Sequence, residues 1–209
     1  MNSTRLPGKV LLPMAGRTML ENILERVGRS NRVDEIRIIW PEDAPDRDEN
    51  DLIGRHYDVA KEMRADFIVR VPGDNPCVEA EEIDRALSLR FSIGGTPCLV
   101  SNAGDYRFSE YPDGIGCEIY DITQLEVMDN VIKDPYLREH PHKTWHRAGQ
   151  VIEPLCPEEF RGSRLRLDVN TQSDYESVKS VFDHFGHNQF HITEVIEFLA
   201  SLEKRNIPT

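Results

Sequence analysis

The chain has 209 residues, 39% hydrophobic and 30% charged, with 37 Asp and Glu against 25 Lys and Arg for a formal net charge of −12. This is the composition of a water-soluble globular chain of about one domain's length; it excludes an unstructured acidic tail, and no run approaches the ~20 apolar residues that span a bilayer. The negative balance argues against nonspecific binding of nucleic acid or an anionic membrane, although a phosphate pocket needs only a few well-placed donors.

In chain order, residues 10–12 (Val-Leu-Leu) read as a first short strand. Met19, Leu20, Ile23, Leu24 and Val27 then recur at helical spacing, and Thr18 with Glu21 forms a capping box at the start of that helix. Residues 36–40 are a second strand-like run, followed by an acidic loop or lid over 41–50. A weaker helical pattern covers 51–63. The apolar run 66–71 (DFIVRV), the helical stretch 79–89 and strand-like runs at 98–101, 117–122 and 165–169 follow. Residues 134–147 are charged, aromatic and rich in histidine, without strong periodicity. Thr171 caps a helix through Val178, Val181, Phe182 and Phe185, and a last helix covers 192–202. Continuously apolar strands alternating with helices predict an α/β sandwich with a mostly parallel sheet covered on both faces. The expected organisation is a single domain, 1–209, with an arm inserted at 103–150.

Cys77, Cys98, Cys117 and Cys156 include no CxxC pair and read as buried reduced thiols. With no apolar leader run at the N-terminus, a cytoplasmic location is expected. His140, His142 and His146 lack a nearby cysteine to complete a zinc site, so a solvated arm or substrate contact is expected there. Trp40 and Trp145 are assigned to packing.

Three stretches carry candidate chemistry. Ser3 to Lys9 (STRLPGK) sets backbone N–H groups in a small-residue turn beside the charges of Arg5 and Lys9. That combination suits a polyphosphate, although an ordinary basic turn looks the same and the GxxxxGK[ST] spacing is absent. Asp74, in VPGDNP, follows the run 66–71, where one carboxylate at the end of a strand suits Mg²⁺ or merely a turn. Asp168 and Asn170, two residues apart, share a strand face.

Together, STRLPGKVLLP, GRTMLENILERV, DENDLIGRHYDVA, ADFIVRVPGDNP, YPDGIGCE, DPYLREH and RLDVNTQSDYE, in this order, resemble the acylneuraminate and ketodeoxyoctonate cytidylyltransferases, in their SpsF-like spore-coat polysaccharide branch. The resemblance implies a Rossmann-like nucleotide-diphospho-sugar transferase fold, often dimeric. The reaction it implies is transfer of CMP from CTP to a sugar acid of the 2-keto-3-deoxy or nonulosonic type, with Mg²⁺ and release of pyrophosphate. By matching positions, Arg5 and Lys9 would neutralise the triphosphate. Ser3, Gly8, Asn50, Asp51 and Arg55 would border the nucleotide. Asp74, with Asp168 and Asn170, would hold the metal. Asp113, Gly114, Glu118, Arg138 and His140 would lie on the sugar side.

The sequence departs from that pattern in four places. The strand before the loop and one helix–strand segment after Trp40 are absent. Asn170 stands where the family has a metal carboxylate, with Asp168 placed to compensate. Gly116 replaces an acidic residue of the sugar motif, which suggests altered sugar specificity. These departures keep two alternatives open: a non-catalytic nucleotide-binding or dimeric relative, and a nucleotidyltransferase for another small phosphorylated acceptor.

Overall fold

The computed structural model describes residues 6–104, 109–161 and 165–205, so the readings at Ser3 and Arg5 lie outside the described residues. A two-residue hairpin, β1 (Pro13–Met14) and β2 (Arg17–Thr18), leads into α1 (Met19–Val27). Then come α2 (Leu52–Met63), β3 (Phe67–Arg70), α3 (Ala80–Ser92), β4 (Leu99–Ser101) and β5 (Glu118–Asp121). Next are α4 (Ile122–Val131), α5 (Pro135–Glu139), α6 (His142–Ala148), β6 (Val151–Ile152), α7 (Gln172–Phe185) and α8 (Ile192–Arg205). The capping box of α1 forms as expected: Thr18 Oγ1 accepts from the Glu21 amide at 3.2 Å, and the Thr18 amide donates to Glu21 Oε2 at 2.7 Å. Thr171 and Asp174 make the same reciprocal pair on α7, at 3.2 and 2.8 Å.

The main sheet has the order β3-β5-β4-β6. β5 runs against both neighbours while β4 and β6 are parallel, so β3, β4 and β6 point one way with one reversed strand among them. Side chains alternate between two cores, as the two-residue strand period requires. Val69, Val100, Ile119 and Ile152 join the larger core with Ile23, Ile83, Val178 and Val195 of α1, α3, α7 and α8. Ile68, Leu99, Tyr120 and Val151 join the second, with Ile53, Leu125, Met128 and Trp145 of α2, α4 and α6. The result is the α/β sandwich expected from the sequence, with helices on both faces of a mixed sheet.

Three expected strands do not form. Residues 10–12 lie in and beside a 3-10 turn, Lys9–Leu11. Residues 36–40 take no regular structure, and Ile36 is 40% exposed. Residues 165–169 make only a parallel bridge, between Asp113 and Arg166. A strand exists only where a neighbour accepts its hydrogen bonds. Among the described residues β3 pairs only with β5, and its other edge has no strand beside it. Conversely, residues 134–147 contain α5 and α6, and neither α4 nor β6 is announced by periodicity.

A buried guanidinium joins three helices. Arg26 of α1 is 1% exposed. Its Nε donates to Val78 O at 2.7 Å, Nη1 to Phe190 O and Asn188 O at 3.1 and 3.2 Å, and Nη2 to Glu79 Oε1 at 2.8 Å. The same carboxylate oxygen accepts from the Ile192 amide of α8 at 2.9 Å. Removing the cation leaves Glu79 and three carbonyls buried without their donor. Arg26→Met should therefore lower the unfolding free energy by about 3–5 kcal/mol, read from urea denaturation; a loss below about 1 kcal/mol would show that the pair contributes no more than a surface one.

Candidate active site

β3 ends at Arg70, and the turn that follows carries Asp74 beyond its carboxyl end, where α/β sheets place their ligands. Gly8, at φ 69°, caps the 3-10 turn that carries Lys9. Lys9 Nζ donates to Asp74 Oδ2 at 2.8 Å and to Val169 O at 2.7 Å, and Asp74 O accepts from the Val169 amide at 2.8 Å. Residues 65 and 95 positions apart in the chain, 9, 74 and 169, thereby meet in one bonded set.

Asp168 and Asn170 do face one another: Asn170 Nδ2 donates to Asp168 Oδ2. Asp113 enters through the parallel bridge, its amide donating to Leu165 O at 3.0 Å and its carbonyl accepting from Leu167 N at 2.8 Å. Gly114 has φ 92°, and a Cβ there would stand 2.5 Å from Asp168 N, so only glycine allows the two segments this approach. Arg166, a residue that the sequence reading left out of the site, lies over this group. Its Nη2 is 3.0 and 3.3 Å from the two oxygens of Asp168, and its Nε is 3.6 Å from Asp113 Oδ2. The signal for it was available, since Arg166, Asp168 and Asn170 are spaced two apart.

The structure thus brings together Lys9, Asp74, Asp113, Gly114, Asp168 and Asn170. Other expected residues belong to different bonded sets. Asp51 caps α2 through the Gly54 amide at 3.0 Å and pairs with Arg138 at 2.8 Å. Arg138 also donates to Ile132 O at 2.8 Å, which ties α2, α4 and α5 together. Arg55 is buried, donating to Glu49 O and to Ile39 O at 2.5 and 3.0 Å, and the Asn50 amide donates to Asp48 Oδ1 at 2.8 Å. His140 packs edge-on against Tyr136, with ring centroids 4.8 Å apart.

Glu118 sits inside the sheet. It accepts from Arg70, its cross-strand partner, at 2.8 Å and from the Tyr120 hydroxyl at 2.6 Å, with His142 Nδ1 at 3.3 Å. Burial works against its charge, but Arg70, His142 and Tyr120 together hold its carboxyl below the usual range. The same neighbourhood acts on His56: desolvation first, then the Arg70 charge, push it down to about 4. Between pH 6.5 and 4 the unfolded chain therefore binds a proton at this imidazole that the folded chain does not, so stability falls as pH drops through that window. His56→Gln should flatten this slope, removing about 3 kcal/mol of the difference between pH 7 and 4, as measured by urea unfolding at the two values.

Gly116, expected to reflect a changed sugar pocket, has a packing cause. A Cβ there would lie 1.9 Å from Asn102 O. Asn102 is fully buried and accepts from the Cys117 amide at 2.9 Å. Gly116→Asp should cost more than about 3 kcal/mol or prevent soluble expression, whereas near-wild-type melting would show that the contact yields easily.

Lysine, arginine and carboxylates thus gather beyond the end of a strand in a mixed α/β sandwich, and comparison with known proteins finds nucleotidyltransferases among those it resembles. A family model described as Cytidylyltransferase matches residues 1–39. The chain is 27% identical over 215 residues to the spore coat polysaccharide biosynthesis protein SpsF of Bacillus subtilis (strain 168), covering 89% of this chain and 84% of that one. It is 32% identical over 100 residues to the 3-deoxy-manno-octulosonate cytidylyltransferase of Geobacter sulfurreducens, covering 41% of this chain and 40% of that one. A solved cytidylyltransferase structure from Leptospira borgpetersenii serovar Hardjo-bovis superimposes with a TM-score of 0.79 at 27% identity, over 99% of this chain and 93% of that one. The proteins that this chain resembles thus include cytidylyltransferases. No described helix is long and apolar enough to cross a membrane.

Proposed function

We propose that the chain transfers a cytidylyl group from CTP to a sugar acid of the 2-keto-3-deoxy or nonulosonic type, releasing pyrophosphate, as a cytoplasmic step toward a surface polysaccharide. The observation that carries this reading is the joining of Lys9, Asp74 and residues 166–170 at the end of β3. Asp74, Asp168 and Asn170, on segments joined through Val169, carry the hard oxygen donors that Mg²⁺ takes and suit the ion by donor chemistry. Bound there, it would neutralise phosphate charge and favour departure of pyrophosphate.

The chain's own residues account for the rest. Lys9, reaching Asp74 from the Gly8 turn, offers a fixed positive charge to the triphosphate, and Arg5 stands four residues before it in the sequence. Asp113 and the close approach at Gly114 border the space for the acceptor. The acceptor hydroxyl attacks the α-phosphorus in line, forming the sugar–phosphorus ester as the bond to the β-phosphate breaks. Catalysis is positioning and charge stabilisation, without a covalent enzyme intermediate.

A second reading, a relative that binds but does not turn over, is favoured by one observation: among the described residues β3 pairs only with β5, so no strand on its other edge supports the segment leading to Asp74. Pyrophosphate release from CTP with Mg²⁺ and a panel of sugar acids separates the two. Turnover that falls by about 10²–10³ in Asp74→Asn and Lys9→Ala is expected. Turnover at background with every acceptor, in a folded chain that binds CTP, would instead establish the second reading.

A further inference from the structure

Both carboxylates that suit a divalent cation are already paired with cationic side chains. Lys9 lies 2.8 Å from Asp74 and is 13% exposed, with a second bond to Val169 O. Arg166 is different. Its side chain is 65% exposed, while the side chain of Asp168 beneath it is 9% exposed. The backbone around Asp168 is pinned on both sides, by Leu167 N to Asp113 O and by Val169 N to Asp74 O, each at 2.8 Å. A held carboxylate is therefore covered by a guanidinium on a long, solvent-facing stem. The guanidinium bridges to Asp113 as well, at 3.6 Å.

A divalent cation on Asp168 would sit within a few ångströms of that guanidinium, where like charges repel. The guanidinium in turn prefers a planar anion such as a phosphate or carboxylate, which it can grip through two N–H groups. We propose that Arg166 is an internal counter-cation that covers Asp168 against divalent metal until an anionic ligand draws it away, so that metal and anion bind the site synergistically. Arg166 is on this account a positioning residue, and the synergy is written into one side chain. The identity of the anion as a nucleoside triphosphate rests on the reading above; the pairing itself does not.

The test begins with Mn²⁺ alone, titrated into the full chain without nucleotide and followed by the electron paramagnetic resonance of the free ion. Arg166→Gln should bind Mn²⁺ about tenfold more tightly than wild type, Arg166→Lys should stay near wild type because it keeps the charge, and Arg166→Gln with Asp168→Asn should lose the gain. Unchanged or weaker Mn²⁺ binding in a folded Arg166→Gln chain overturns the proposal, as does a gain that survives loss of Asp168. In the second arm, calorimetric titration with CTP in saturating Mg²⁺, the same Arg166→Gln substitution should weaken binding about tenfold. If no variant binds CTP while the Mn²⁺ results hold, the nucleotide reading fails and the counter-cation stands.

Discussion

The buried guanidinium of Arg26 is the joint on which this molecule is assembled. It lies in α1, whose leading hairpin connects back to the turn carrying Lys9. Its partner Glu79 lies five residues beyond Asp74, just before α3, and its carbonyl partners Asn188 and Phe190 lead into α8. A cation out of water is tolerated only when its donors find acceptors, so the three helices are held in the one arrangement that supplies them. That arrangement orients the two chain segments whose ends meet as Lys9 and Asp74. The packing knot and the candidate active site are in this sense successive parts of one constraint, the first in the dry interior and the second at the sheet's open end.

The site has a charge logic suited to its host. A chain with net charge −12 repels phosphate at long range, and attraction has to be local. Lys9 and Arg166 are the cations of the candidate site, and each is paired with a carboxylate. Arg70 stands nearby, tied to Glu118, and feels the charge of Asp74 as well. Each of these three cations is thus held in place by a carboxylate at short range.

What could be read from sequence divides along the range of the forces involved. The helix starts at Thr18 and Thr171 were legible because a cap and its partner are three residues apart. The runs 66–71, 98–101 and 117–122 became β3, β4 and β5, whose side chains pack toward both cores. The equally apolar runs 10–12 and 36–40 did not become strands, since a strand depends on a neighbour that no local pattern reveals. That Lys9, Asp74, Asp113 and Asp168 belong near one another was legible from resemblance, and Asp74 also from its position after the run 66–71. Arg166 was passed over although its two-residue spacing from Asp168 pointed to it; its contacts to Asp113 and Asp168 show only in the fold. At Gly116 the sequence offered only a reading in substrate chemistry, and the packing reason, the backbone of Asn102 leaving no room for a side chain, shows only in the fold. The pairing of Asp51 with Arg138, 87 residues apart, was likewise invisible.

The four cysteines, finally, make the interior chemically silent. Cys77, Cys98, Cys117 and Cys156 are all buried in the larger core, and none is bonded to another. Burial pushes the thiols of Cys77 and Cys156 up to about 12 and that of Cys117 higher still, so almost no thiolate is present at neutral pH. Because the four come from separate stretches of the chain, a thiol reagent meets them together only when the whole core opens. The protein thus carries an intrinsic clock: where labelling outpaces reclosing, the pace at which all four thiols are consumed is the pace at which its largest cooperative unit comes apart.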